Sequence, residues 1–176
     1  METSRLTRTG LWIALVILAA GCSAKHTQRQ LVENTAQLNP AAAVFISVPE
    51  NGSYNDKPYP NSGRQTATAL EVAFSEHAAE VTVSDSCMGK ACLENVDVRS
   101  HVYYVEAQIV HWEDRATEWS GIPDRLEVKI TVYETSTGKK LSSVLLEGKS
   151  KWMTMGGDHP QDLLDSPLKD YVGSLY

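Results

Sequence analysis

Apolar and polar residues follow distinct rhythms along this chain, and each rhythm predicts an element. Residues 41–48, AAAVFISV, form an unbroken apolar run closed by Pro49, the pattern of a strand buried on both faces. After Ser62, a residue type suited to cap a first helical turn, Ala67, Leu70, Phe74 and Ala78 recur at helical spacing. Residues 80–85, EVTVSD, alternate as a short strand. Residues 101–114 alternate over a longer one, with Tyr103, Val105, Ala107 and Ile109 on one side and Tyr104, Glu106, Gln108, Val110 and Trp112 on the other. The clearest local signal follows. Leu126, Val128, Ile130 and Val132 alternate with Glu127, Lys129, Thr131 and Tyr133, Gly138 supplies a turn residue, and the apolar pattern returns from Leu141 to Leu146, which predicts a β-hairpin. Ser166 and Pro167 open a final helix with Leu168, Tyr171, Val172 and Leu175 as its apolar stripe. The order implies an α/β fold: a mixed sheet of about five strands with a β-α-β start, a hairpin, and a C-terminal helix packed on the sheet.

Two stretches lack a rhythm. Residues 23–39 are polar apart from Leu31, Val32 and Leu38, and read as a tether. Residues 49–63, PENGSYNDKPYPNSG, read as one long loop, a length that in compact domains accompanies function.

The first 22 residues give the location. Arg5 and Arg8 precede an uncharged apolar run, residues 11–20, that is well short of the roughly 20 residues needed to span a bilayer. A charged start, short apolar core and small-residue end make a secretory signal. The close of that run, LAAGC, resembles a lipobox, in which the chain is cut before the cysteine and its thiol carries acyl chains. Ala19 stands where the usual pattern has Leu. A plain secretory signal with a chance cysteine is the alternative. By the resemblance, Cys22 is the lipidation site, residues 1–21 are a signal peptide, 22–39 a lipidated tether and 40–176 one periplasmic domain. Each buried methylene contributes about 0.8 kcal/mol, so several acyl chains hold stably. Ser23 rather than Asp after the cysteine implies the periplasmic face of the outer membrane under the Gram-negative sorting rule.

The net charge of −6 becomes one unit more negative once the signal is removed, which leaves no footprint for nucleic acid and implies no polybasic patch to add membrane affinity beyond the lipid. Cys87 and Cys92, in SCMGKAC, are most simply a disulfide in an oxidising periplasm. Free thiols are one alternative. A metal site completed by His101 and His111 is another, disfavoured because ten strand residues separate those histidines by about 33 Å.

No phosphate loop, nucleophile elbow or HExxH motif is present, and no cofactor is implied. Ser62, Gly63 and Arg64 at a helix start have the amides and guanidinium to hold an anion; the plainer alternative is a capped helix with a surface arginine. His111 lies near Glu113, Asp114 and Glu118, which acid–base chemistry could use, although a solvated strand end explains them equally. Tyr54 and Tyr59 in the long loop and Trp119 after a strand, with Trp112 and Trp152, are candidate partner contacts if exposed, and core residues if not.

The segments VYETSTGKKL, PQDLLDSPLKDYVGSLY and SGRQTA together resemble a domain-of-unknown-function family of small Gram-negative lipoproteins over roughly residues 41–176. The resemblance departs at residues 87–98, where an Ala-rich second helix would be expected. The strand–helix–strand start and Thr-Gly hairpin are also similar to periplasmic domains of the TolB amino-terminal type, which include the curli-secretion lipoprotein and the lipoprotein activator of penicillin-binding proteins. These resemblances imply a non-enzymatic accessory role, with an envelope protein as partner. A small-ligand or glycan-binding lipoprotein is the alternative, and a hydrolase built on His111 a remote third.

Overall fold

A computed structural model describes residues 24–115, 122–151 and 159–176. The signal segment, Cys22, Trp119 and Trp152 lie outside the described residues.

In chain order the elements are β1 (Lys25–Val32), β2 (Ala43–Ser47), β3 (Ser53–Tyr54), β4 (Lys57–Pro58), α1 (Ser62–Ser75) and β5 (Glu80–Ser84). A 3₁₀ turn (Lys90–Glu94), α2 (Val96–Arg99), β6 (Tyr103–Glu113), β7 (Arg125–Glu134) and β8 (Lys139–Lys149) follow. A second 3₁₀ turn (Pro160–Leu163) and α3 (Asp165–Gly173) complete the fold. Six strands form one sheet in the order β1-β8-β7-β6-β2-β5; β2 runs parallel to β5 and β6, and the other pairs are antiparallel. The fold is therefore the mixed α/β architecture that the patterns predict.

The apolar run of β2 sits between two parallel neighbours, with Val44, Phe45 and Ile46 at most 1% exposed. Both long helices cover one face. Leu70 and Phe74 of α1 and Leu168, Tyr171 and Val172 of α3 close over Val44, Ile46, Leu126, Val128, Ile130 and Leu146. On the opposite face a smaller cluster joins Phe45, Tyr104 and Tyr133 to Cys92, Leu93 and Val98. Cys87 and Cys92 are disulfide-bonded, with Cα atoms 5.4 Å apart, so neither sulfur is free to be a metal ligand.

Three expectations are corrected. The segment read as a tether contains β1, which pairs with β8 from Lys25 to Val32, and Leu38 is buried in the main core. The folded unit thus begins almost at the candidate lipidation site. Its polar sequence carries no strand signal because β1 is an edge strand whose side chains are almost all exposed. The long loop holds the β3–β4 hairpin, turned by Asn55 and Asp56 at φ 48° and 61°, conformations those residue types tolerate. The alternation of β6 breaks at Val110, an extra residue in the ladder with β7. The bulge exposes Val110 and turns Trp112 into the core beside Leu126, away from the face of Tyr104 and Glu106.

Candidate functional site

β6 outlasts its neighbour. Its ladder with β2 covers only Tyr103, Tyr104 and Val105, while the strand continues to Glu113. After β2 the chain leaves the sheet, and residues 49–53 run alongside this edge of β6, which no other strand pairs among the described residues. Between them lies an open groove of about 500 Å³, lined by Pro49, Glu50, Ser53, Met88, Glu106 and Gln108 among others. Its charged lining residues, Glu50 and Glu106, are both acidic. Glu106 accepts a hydrogen bond from the Tyr133 hydroxyl at 2.9 Å. Burial first, and then Glu106, push the Tyr133 pKa upward, so this phenol stays a neutral donor. Beneath the Met88 end of the groove, the Tyr104 hydroxyl donates to the Gly89 carbonyl at 2.9 Å and lies 2.8 Å from Ser47 Oγ. Burial raises its pKa to about 12.

The wall formed by residues 49–53 is fixed from α1. The residue that opens the helix is Asn61, at φ 71°, and no side chain of its own caps the turn. Ser62 does not cap it either. Its hydroxyl donates to the Tyr59 carbonyl at 2.7 Å and accepts from the Gly52 amide at 2.8 Å, stitching the hairpin to the wall. Asn51 Oδ1 accepts the Gly63 amide at 3.0 Å. A Cβ on Gly63 would stand 2.2 Å from the Pro49 carbonyl oxygen, so only glycine permits this approach. Arg64 is exposed and pairs with Asp85 at 3.1 Å. Helix amide and guanidinium, which would hold an anion, thus already have partners from the protein.

Tyr59 joins that seam through its backbone, but the tyrosine rings make other contacts. Tyr54 packs edge-on to His111 at 4.9 Å, and Tyr59 is half-buried, with its hydroxyl 3.4 Å from the Asp114 carbonyl and Lys57 Nζ 4.9 Å from its ring. Trp119 is outside the described residues. The structure therefore divides the sequence-chosen residues into a buried seam (Ser62, Gly63), a surface ion pair (Arg64) and two half-buried rings with separate partners (Tyr54 on His111, Tyr59 at Asp114 and Lys57).

At the far end of β6, Glu113 is buried, forms an ion pair with Arg115 and lies 3.3 Å from His111 Nε2. Asp124 accepts the Arg115 amide at 2.6 Å and donates its own amide to Ser150 Oγ at 2.8 Å. Burial raises the Asp124 pKa, partly offset by the Arg115 amide. His159 Nδ1 lies 3.7 Å from Asp114. In this arrangement the carboxylates are held by neighbours. Sequence reasoning found His111, Glu113 and Asp114 by proximity. It missed Arg115 and Asp124 as their partners, and Glu50, Glu106, Gln108 and Met88 as groove walls, because those meetings depend on long-range pairing.

No curated protein matches the sequence. The fold is similar to PelC from Paraburkholderia phytofirmans, solved as a dodecamer, at 14% identity and a TM-score of 0.58, over 86% of this chain and 95% of that one. A DUF330-family protein from Xanthomonas campestris aligns at 11% identity over 81% and 91% of the two chains, with a TM-score of 0.49. A lipoprotein from Neisseria meningitidis aligns at 14% identity over 76% and 96%, with a TM-score of 0.46. Residues 36–175, nearly the whole folded unit, match the domain of unknown function DUF4823, and the chain belongs to that family.

Proposed function

We propose that this protein is a non-enzymatic lipoprotein, anchored through Cys22 to the periplasmic face of the outer membrane, that binds another envelope protein along the open edge of β6. The observation that carries the reading is the pairing of an uncovered strand edge with an acidic groove. A sheet edge offers main-chain donors and acceptors to an added strand, and flanking pockets select its side chains. Glu50 and Glu106 favour a basic segment. The engaged carboxylates around His111 support a binding role over a catalytic one. The lipobox-like LAAGC, followed within three residues by β1, favours a domain that sits close to the bilayer. PelC, whose fold is similar, is solved as a dodecamer, and self-assembly is one form that partner binding could take.

The test is site-specific crosslinking in intact envelopes. A photoreactive residue at Gln108, in the groove, is expected to capture a discrete partner, and Glu106→Lys to abolish that product. The same probe at Glu71, exposed on α1, is expected to capture none. Absence of any Gln108 product, or one indifferent to Glu106→Lys, contradicts the reading. The glycan or small-ligand alternative rests on Tyr54, Tyr59 and Arg64; a ligand-induced thermal shift lost in Arg64→Ala would favour it.

A further inference from the structure

Lys25 opens β1 opposite Lys149 at the end of β8, and Lys149 lies opposite Arg125 at the start of β7. Three cations from segments far apart in sequence thus stand abreast on adjacent strands, about 5 Å from one to the next. All three are exposed, and among the described residues none is in an ion pair. Lys151 follows just beyond Lys149. Like charges directly opposite in a sheet oppose pairing, so local stability does not account for this row.

The carboxylates at this end of the sheet do not neutralise it. Glu113, opposite Arg125, is buried against Arg115 and His111. Asp114 faces His159, and Asp124 is buried and accepts the Arg115 amide. Glu127 and Glu147 share the face of the cations but lie one row back, about 7 Å farther from the sheet's end. Among the described residues, the exposed side chains on the row of Lys25, Lys149 and Arg125 are positive, on a protein whose net charge is −6.

The candidate acylation site adds the second observation. Cys22 precedes Lys25 by three residues, which reach about 10 Å at full extension. Because β1 is hydrogen-bonded to β8 from Lys25 onward, an acylated Cys22 would hold this end of the sheet within that distance of the headgroups.

We propose that Lys25, Arg125 and Lys149 form a phospholipid-facing surface that contacts anionic headgroups and fixes the domain's orientation on the bilayer. The orientation rests on the anchor at Cys22; the lipid contact does not. Such a patch is invisible as a polybasic run because strand register, not sequence adjacency, assembles it.

The test uses the full chain carrying Cys22→Ala, which cannot be acylated. Flotation is compared on phosphatidylcholine vesicles with and without phosphatidylglycerol, alongside Lys25→Gln/Arg125→Gln/Lys149→Gln in the same background. The leader is common to all arms and cancels in the ratio. Each basic residue near an anionic surface contributes about five-fold, so the parent is expected to prefer anionic vesicles on the order of 100-fold at low salt. The triple variant should lower that preference on the order of 100-fold relative to the parent, and high salt should erase the difference between the two. Equal affinity of the parent for both vesicles, or a preference that the triple substitution leaves undiminished, overturns the proposal. If the triple variant fails to fold by circular dichroism, Lys25→Gln on the exposed edge should still lose about five-fold, and no loss refutes the contact. A mass spectrum showing unmodified Cys22 in the wild type would end the anchor reading without changing any arm of this assay.

Discussion

Reducing the Cys87–Cys92 bond gives a quantitative check on how the second face of the sheet is held. The bond closes a loop with a sequence separation of only 5. The chain-entropy relation for so short a loop gives about 2 kcal/mol of stabilisation through the unfolded state. The folded side should add little to that figure, because Cys92 is fully buried in a cluster with Phe45, Leu93, Val98, Tyr104 and Tyr133 that packs without needing the bond. The loop also keeps the Tyr104 hydroxyl bond to Gly89 and the Cys92 amide bond to the same carbonyl at 3.0 Å. Reduced protein should therefore remain folded, with a urea midpoint lower by about 1 M and an unchanged slope. Equilibrium urea melts of the oxidised and reduced protein, followed by far-ultraviolet circular dichroism, measure it. Coincident midpoints would show that side-chain packing alone holds the loop. A lost transition on reduction would show that the small cluster cannot fold without the bond, and either result refutes the reasoning.

Other consequences follow from the same contacts. Trp112→Ala should cost about 3–5 kcal/mol in a urea melt, since the indole is buried at the bulge where Gly52 crosses. Gly63→Ala should cost about 1–3 kcal/mol by forcing Pro49 away, and should weaken Gln108 crosslinking because the groove wall moves with it. Arg115→Met should destabilise by about 3 kcal/mol, leaving Glu113 buried with only His111 as partner. Tyr104, Tyr171 and Tyr176 are each raised to about 12, chiefly by burial, so the fold favours their neutral forms. Stability from these groups is whole below about pH 10, the unfolded tyrosine value, and is lost as pH rises from there towards 12. Urea midpoints should fall across that window, and flat midpoints would contradict the burial of the phenols.

The elements with a strong rhythm were legible because their periodicity matches their burial. The buried run of β2, the stripe of α3 and the alternation of β7 each bury the residues that the pattern marks. Where packing and pattern part, the sequence was silent. β1 is an edge strand with its side chains in solvent, so nothing selects apolar residues there, and its pairing with β8 spans more than a hundred residues of chain. The bulge at Val110 inverts the phase of β6 without a glycine to announce it, and so Trp112 falls on the wrong face in a strict alternation. The disulfide was legible from the spacing of its cysteines and the export signal expected ahead of them. The groove was not, because Glu50 and Glu106 meet only through the path of residues 49–53 beside an uncovered strand. Ser62 and Gly63 stood out in the sequence as an anion-binding helix start, and the structure shows a role that the sequence did not: they seal the hairpin to the helix. The row of Lys25, Arg125 and Lys149 has the same origin as the groove, since register brings together charges that composition reports only as a negative total.

Mass spectrometry of the N-terminal peptide of the protein extracted from its native envelope tests the account most directly. The prediction is a peptide that starts at Cys22 and carries a mass increment of several fatty acyl chains. A peptide that starts elsewhere, or starts at Cys22 with an unmodified thiol, contradicts it.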